Sequence, residues 1–117
     1  LNLAVQSGRL DTVNILLSSP LTQVDQRDYG QWTPLHWAAE NDDKKLVSLL
    51  LSHGADVDAL DEQHRSPLHW AISRGRKKMV ELLLSKGANE HAVTISRTTS
   101  LHLAAANGHV DLVRLLI

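Results

Sequence analysis

The 117-residue sequence contains no cysteine and no phenylalanine, and only one methionine and one tyrosine. Without cysteine the chain cannot form disulfides, use a thiolate as a nucleophile or bind zinc through sulfur. Hydrophobic residues still make up 43% of the chain, so Leu, Val, Ile, Ala and three Trp must fill its core. Because a cysteine-free chain fits a reducing compartment, we expect a cytoplasmic location, with the nucleus as the alternative.

The sequence also lacks an excess charge of one sign, since twelve basic and thirteen acidic residues give a formal net charge of −1. Nucleic-acid-binding domains usually carry a clear basic excess, so we expect no nucleic-acid partner. No apolar run approaches the ~20 residues that a bilayer crossing needs, and no signal-like segment begins the sequence, so we expect no membrane insertion. The sequence starts at Leu1 within a helical pattern, and we expect it to be part of a longer chain.

Short motifs with catalytic chemistry are missing as well. There is no G-x-S-x-G, no phosphate-binding glycine loop and no H-E-x-x-H. The carboxylate pairs at 42–43 and 61–62 fall in predicted turns, where they are expected to be solvated. We therefore expect no enzymatic activity and no cofactor.

What is present is an internal repeat of 33 residues. The segment TPLHWAA at 33–39 recurs as SPLHWAI at 66–72 and as TSLHLAA at 99–105. A second block keeps the same register, as LVSLLL, MVELLL and LVRLLI. The N-terminal segment matches with an offset of 34, and the extra residue falls in a loop at 18–23. The interpretation is one repeat array with a partial repeat at 1–32, complete repeats at 33–65 and 66–98, and a partial repeat at 99–117.

These blocks, together with GADVD at 54–58, resemble the ankyrin repeat family over the whole chain. The resemblance implies an all-α fold, a solenoid of stacked helix-turn-helix units joined by hairpin loops. Local chemistry agrees, because Thr33, Ser66 and Thr99 are good helix N-caps and Pro34 and Pro67 suit the first helical position. One unit is too small to bury its own apolar face, so neighbouring units must supply the core.

The sequence departs from the family pattern in its hairpins. The glycine that usually lies two residues before the Thr-Pro pair is replaced by Gln31, His64 and Arg97. Because glycine adopts positive φ without strain, we expect these hairpins to be shaped differently. The aspartate that often precedes the turn is Thr94 in the third hairpin, where the largest difference is expected.

Seven histidines raise the question of a metal site. His36, His69 and His102 recur at the repeat spacing, which places equivalent positions ~8–10 Å apart on packed helices, too far to share a zinc ion. We expect these rings to hydrogen-bond the capping turn and neighbouring backbone. The other four lie on loops or turns without a partner at ligand spacing, so we expect no metal.

In ankyrin repeats, partners are usually bound by the hairpin tips and the concave face of the first helices. The resemblance therefore implies a protein–protein interaction module, a monomeric unit within a larger protein, whose partner is another protein or a peptide. The alternatives are a structural spacer, or anionic-ligand binding at the basic turn of the third repeat. Carried onto this sequence, the partner-binding positions on the tips are Tyr29, Trp32, Glu62, Gln63, Arg65, Ile95 and Thr98, and those on the first helices are Trp37, Glu40, Asn41, Trp70, Ser73, Arg74 and Asn107.

The aromatic residues among these positions have two interpretations. Tyr29 and Trp32 share one hairpin tip, where large aromatics are enriched among binding hot spots, but Trp32 could equally fold back onto Trp37. Trp37 and Trp70 occupy equivalent positions and are expected to form a short ladder, for which packing between first helices is the favoured explanation.

Charge is segregated by repeat. Residues 33–65 hold seven acidic and three basic residues, whereas residues 66–98 hold six basic and two acidic ones. Four bases lie close together around the turn of the third repeat. They form either a solvated face or a docking patch for an acidic peptide; they are Arg74, Arg76, Lys77 and Lys78.

Overall fold

A computed structural model describes all residues, 1–117, and shows eight short α-helices and no β-strand. The predicted all-α solenoid of stacked helix pairs joined by hairpin loops is confirmed. Odd-numbered helices are called the first helices below and even-numbered ones the second helices. They are α1 (Asn2–Gln6), α2 (Leu10–Leu17), α3 (Pro34–Glu40), α4 (Lys44–Ser52), α5 (Pro67–Ser73), α6 (Lys77–Ser85), α7 (Ser100–Ala106) and α8 (Val110–Leu116).

The first helices begin where the sequence predicts. Thr33, Ser66 and Thr99 are the N-caps of α3, α5 and α7, and each side-chain oxygen accepts a hydrogen bond from the backbone N–H three residues later. Pro34 and Pro67 follow at the first helical position, where a backbone N–H would have no partner in the helix.

The core is one continuous cluster of 19 buried residues that crosses every repeat. Small residues line the first helices, as at Ala38 and Ala71, while the second helices contribute larger ones, as at Leu50 and Leu83. Small side chains let the first helices approach each other closely, so α1, α3, α5 and α7 pack in one row. The result is an elongated body of 40 × 25 × 22 Å. None of its helices has the length and hydrophobicity that a membrane crossing requires.

The hairpins do not have the altered shape expected from their missing glycines. Gln31, His64 and Arg97 all adopt positive φ, at 63°, 58° and 61°. These residues keep the left-handed conformation that glycine favours, because side-chain oxygens fix the surrounding turn. Asp28 Oδ1 accepts from the N–H groups of residues 30 and 32, and Asp61 Oδ1 accepts from those of residues 63 and 65.

The third hairpin also keeps this turn, contrary to expectation. The Thr94 hydroxyl accepts from the Thr98 N–H at 3.2 Å, so it replaces one of the two aspartate bonds. The backbone bonds that close the turn match those of the other hairpins: the Thr94 N–H donates to the Thr98 carbonyl and the Arg97 N–H to the Thr94 carbonyl. The single hydroxyl oxygen of Thr94, together with these backbone bonds, is therefore enough to keep the turn in the third hairpin.

Neighbouring hairpin tips are joined by backbone hydrogen bonds. The Glu62 N–H donates to the Gly30 carbonyl at 3.2 Å, and the Ile95 N–H donates to the Gln63 carbonyl at 3.0 Å. These bonds set the tips side by side at a fixed register along the array.

Candidate functional site

Three tryptophans lie in contact at the junction of the hairpin tips and the first helices. The Trp32 ring lies 4.6 Å from Trp37 and 4.7 Å from Trp70, measured between ring centroids, with tilted planes. The guanidinium of Arg65 continues the row, because its Cζ lies 4.1 Å from the Trp70 ring centroid. We call Trp37, Trp32, Trp70 and Arg65, in that order, the indole stack.

The two helix-borne indoles are anchored by the hairpin aspartates. Trp37 Nε1 donates to Asp28 Oδ2 at 2.8 Å, and Trp70 Nε1 donates to Asp61 Oδ2 at 3.1 Å. Each carboxylate thus shapes a turn with one oxygen and holds the tryptophan of the first helix that follows it with the other. The indole stack is therefore a rigid surface, since the Trp37 and Trp70 indoles and the Arg65 Nε are hydrogen-bonded and the Trp32 ring packs between the other two indoles.

Asp61 is buried and remains an anion. Burial by itself raises the pKa of this carboxyl, but the Arg65 N–H, the Trp70 indole, the Gln63 N–H and the charge of Arg65 together hold the pKa below its usual value. The Arg65 Nε lies 3.1 Å from Asp61 Oδ2, which fixes the guanidinium against Trp70.

The repeated histidines lie behind this surface and join the repeats. The Thr33 N–H donates to His36 Nδ1 at 3.1 Å, so Nδ1 carries no proton and Nε2 donates to the Arg65 carbonyl at 2.9 Å. His69 repeats the arrangement with the Ser66 N–H and the Ala92 carbonyl. Burial lowers the pKa of both rings, and the hydrogen bonds to these carbonyls offset it only in part.

Family models decide what this architecture is. The model described as ankyrin repeats (3 copies) matches residues 1–94, and the model described as ankyrin repeat matches residues 97–117. The chain belongs to the ankyrin repeat family. Ankyrin repeats are generally protein–protein interaction modules.

Several curated ankyrin-containing proteins are similar to about half of this ankyrin chain. Palmitoyltransferase akr1 of Schizosaccharomyces pombe is 49% identical over 55 residues, which are 47% of this chain and 9% of that protein. Ankyrin repeat domain-containing protein 49 of Bos taurus is 48% identical over 54 residues, 46% of this chain and 23% of that protein. The 2-5A-dependent ribonuclease of Homo sapiens is 43% identical over 53 residues, 45% of this chain and 7% of that protein. The matches thus span less than a quarter of each of these relatives.

Within the ankyrin array, the predicted tip residues lie on one continuous edge. Tyr29 is fully exposed, and Glu62 and Ile95 occupy the equivalent exposed positions on the next two tips. Gln63 is exposed beside Glu62, and Thr98 is half-buried. The structure brings these side chains together with the indole stack, although it does not by itself test their role in binding.

Trp32 takes the second of its two predicted positions. It folds back onto Trp37 and also contacts Trp70 in the third repeat, so it is half-buried rather than free at the tip. The expected ladder of Trp37 and Trp70 exists only with Trp32 between its two members.

Predicted residues farther along the first helices serve partly as links between repeats. Asn41 Nδ2 donates to the Gln6 carbonyl at 3.1 Å, and the Ser73 carbonyl accepts from His109 Nε2 at 3.2 Å. Asn107 Nδ2 bonds within its own helix, to the Leu103 carbonyl at 2.9 Å. Asn41 and Asn107 are exposed, so their remaining polar atoms still face solvent.

The predicted basic patch is partly neutralised. Arg74 forms a two-point ion pair with Glu40, with Nη2 to Oε1 at 2.7 Å and Nε to Oε2 at 3.1 Å. Arg76 Nη1 lies 3.9 Å from Asp42 Oδ2. The opposite charges of successive repeats therefore face each other, and of the four basic residues in the patch only Lys77 and Lys78 have no ion pair.

The hairpin aspartates Asp28 and Asp61 are not among the site residues predicted from the sequence. Asp28 and Asp61 each lie nine residues before the tryptophan that they anchor. That constant spacing between a turn carboxylate and an indole N–H is the signal that could have found them. Across the whole chain, no three His, Asp or Glu side chains lie close enough together to hold a metal ion.

Proposed function

We propose that this ankyrin array binds a partner protein or peptide through its hairpin tips and the exposed face of its first helices. The observation that carries the proposal is the indole stack, a rigid and partly exposed aromatic surface that ends in a guanidinium and lies beside the fully exposed Tyr29. Tryptophan, tyrosine and arginine are the residues most enriched in binding hot spots. A surface that is already ordered also loses little conformational entropy when it binds.

The two alternatives have weaker support. Anionic-ligand binding at the basic turn is disfavoured because Arg74 and Arg76 face acidic residues of the preceding repeat. A spacer needs no exposed aromatic at its edge, yet Tyr29 is fully exposed there and takes no part in the core. The enzyme activities in the names of two relatives belong to proteins of which this chain covers less than a tenth, and we propose no catalytic role for the array.

Affinity capture from an extract tests the proposed binding. Cytosolic and nuclear extracts are used in parallel, because we also propose a cytoplasmic location. The test variant replaces the three equivalent tip residues: Tyr29→Ala, Glu62→Ala and Ile95→Ala. All three side chains are exposed and absent from the core, so the fold is expected to survive. Proteins that the unmodified chain retains from cytosol and the tip variant loses are the expected result.

A control variant carries Ile15→Ala and Glu81→Ala, which remove similar exposed side chains from the second helices. This control should retain the same proteins as the unmodified chain. If all three baits capture the same proteins, the binding surface lies elsewhere and the proposal is wrong.

A further inference from the structure

A shallow depression opens between the second and third hairpin tips, where the indole stack ends. It encloses about 200 Å³, less than the roughly 300–1,000 Å³ typical of small-molecule sites. Its size suits one or two side chains of a bound peptide. We call it the tip groove, and it is lined by Gln63, Arg65, Thr94, Ile95, Ser96, Thr98 and Leu103.

The tip groove exists because the stacking pattern of the first repeat is not continued. Trp32, Arg65 and Thr98 occupy equivalent positions in successive hairpins, at spacings of 33 residues. Trp32 fills the space between Trp37 and Trp70. The equivalent space between Trp70 and Leu103 receives only the Arg65 side chain, which lies against Trp70, so the side next to Leu103 and the small Thr98 is left open. The apolar parts of the groove are Leu103, which is half-buried, and Ile95, which is 65% exposed.

Arg65 is the only charged residue in the groove lining, and it is fixed in place. Its Nε pairs with the buried Asp61 and its plane lies over Trp70, while Nη1 and Nη2 form no hydrogen bond within the chain. A guanidinium can bind a second acceptor along the edge that carries its terminal nitrogens, and a carboxylate matches that fork with two parallel bonds.

The charge of the groove wall opposite Arg65, which the third hairpin and α7 form, favours an acidic ligand. Residues 94–107 contain one charged side chain, Arg97, which forms no ion pair. No acidic residue lines the tip groove. Asp61 lies behind Arg65 and is buried, so it positions the guanidinium without occupying its exposed edge.

We propose that the tip groove binds a peptide in which an acidic side chain lies next to an apolar one. The carboxylate accepts hydrogen bonds from Arg65 Nη1 and Nη2, and the apolar side chain packs against Leu103 and Ile95. This inference rests on the proposed function, because it assigns a class of partner to one part of the same surface.

Selection from a phage-displayed library of random peptides tests the inference, with the unmodified chain as bait. We expect the selected peptides to share Asp or Glu beside an aliphatic or aromatic residue. Arg65→Gln should weaken binding of a synthetic selected peptide at least tenfold, the usual scale of a charge-assisted bond. Replacement of the peptide carboxylate by its amide should have a similar effect.

A second variant tests the groove without touching Arg65. Leu103→Trp fills the groove from the wall opposite Arg65 with the residue that Trp37 and Trp70 provide at the equivalent positions of α3 and α5, so the same backbone is known to accommodate it. It should also weaken binding at least tenfold, whereas Lys78→Gln, which removes an exposed charge from a second helix, should leave affinity within about twofold. Melting curves establish that each variant is folded.

The outcomes separate this inference from the proposed function. Selected peptides that bind Arg65→Gln and Leu103→Trp unchanged, or that show no acidic residue in common, contradict the inference. They overturn the inference alone if the Tyr29→Ala, Glu62→Ala, Ile95→Ala variant still loses proteins in the capture experiment. A library without binders overturns the inference too. If, in addition, all capture baits retain the same proteins, both proposals fail.

Discussion

At the residue scale, His36 and His69 each carry two tasks on one ring. Nδ1 accepts a backbone N–H at the start of a first helix, and Nε2 donates to a carbonyl in a later hairpin or loop. The first task needs a neutral imidazole, because a proton on Nδ1 would remove the acceptor of the capping N–H. Burial acts in the same direction, since it disfavours the charged ring.

The stability of the array should therefore depend on these rings below neutral pH. The pKa of His36 in the folded chain lies below the 6.5 of an unperturbed ring. Between those two pKa values the unfolded chain binds a proton that the folded chain does not. The contribution of the ring to the free energy of unfolding is therefore fully present above about pH 6.5 and is lost as the pH falls. Urea unfolding should show a lower midpoint at about pH 5.5 than at about pH 7.5. Asp61 does not interfere, because its lowered pKa lies beneath this range.

Two histidine variants identify the source of that dependence. His36→Gln should lower the midpoint at neutral pH and make it less sensitive to acid. His53→Gln, at an exposed position after α4, should leave the pH profile unchanged. An unaltered pH profile in His36→Gln would mean that other groups cause the acid sensitivity.

His64 adopts positive φ although it is not glycine. Its φ is 58°, and its side chain is exposed and forms no hydrogen bond. His64→Gly should stabilise the chain by about 0.5–1 kcal/mol, because relief of left-handed strain exceeds the entropy that glycine adds to the unfolded chain. Its neighbour Gln63 lacks positive φ, so Gln63→Gly should instead destabilise by a similar amount. Chemical denaturation of the two variants measures the difference, and equal losses would contradict the strain argument.

At the scale of the element, the turns between paired helices share one backbone conformation in different surroundings. Asp42, Gly75 and Gly108 all have positive φ, at 56°, 70° and 71°. The His109 ring covers Gly75 and donates from Nε2 to the Ser73 carbonyl, so the start of α8 is packed onto the preceding turn. At Gly108 the space is open, since an added Cβ would meet no atom within 4 Å.

Alanine at the two glycines should separate backbone strain from packing. Gly108→Ala should cost about 1 kcal/mol, from the left-handed conformation alone. Gly75→Ala should cost about 1 kcal/mol more, because the new Cβ would lie 2.7 Å from His109 Cε1 and displace the ring from its hydrogen bond. Urea unfolding of both variants tests this difference. In a His109→Ala background the two costs should become equal, and a persistent difference would show that the ring is not its cause.

At the scale of the whole molecule, the first helices pack in one row, each against the first helix before and after it. The acidic second repeat faces the basic third through the Arg74–Glu40 pair, whose side chains are 52% and 19% exposed. A partly exposed pair of this kind contributes only about 0.2–1 kcal/mol. The continuous apolar core is therefore the main link between repeats, and disruption of one repeat should spread to its neighbours to an extent set by its place in the row.

Equivalent core leucines should reveal that dependence on place. Leu46 and Leu112 occupy the same position in their repeats and are both buried. Either change to alanine should cost about 2–5 kcal/mol. Leu46→Ala should shift the urea transitions measured by tryptophan fluorescence and by circular dichroism together, because all three tryptophans lie within residues 32–70. Leu112→Ala should shift the circular dichroism transition more than the fluorescence transition. Coincident shifts in both variants would show that the array unfolds as one unit.

The sequence alone determined the array and the local structure of each unit. The period of 33, the Thr/Ser-Pro starts and the apolar blocks act within a few residues of each other, so the helices and their caps followed directly. It misjudged the hairpins, because the missing glycines at 31, 64 and 97 suggested a different shape. Turn oxygens at 28, 61 and 94 hold the same conformation, and that compensation depends on hydrogen-bond geometry.

Only the tertiary structure decided which of the predicted binding residues are free. Trp32 meets Trp70 and Arg74 meets Glu40 across the boundary between repeats, at separations of more than 30 residues. Such contacts depend on how one repeat is rotated and shifted on the next, which the sequence of a single repeat does not specify. Tyr29 and the free edge of Arg65 are exposed for the same reason, because the neighbouring repeats place no side chain against them.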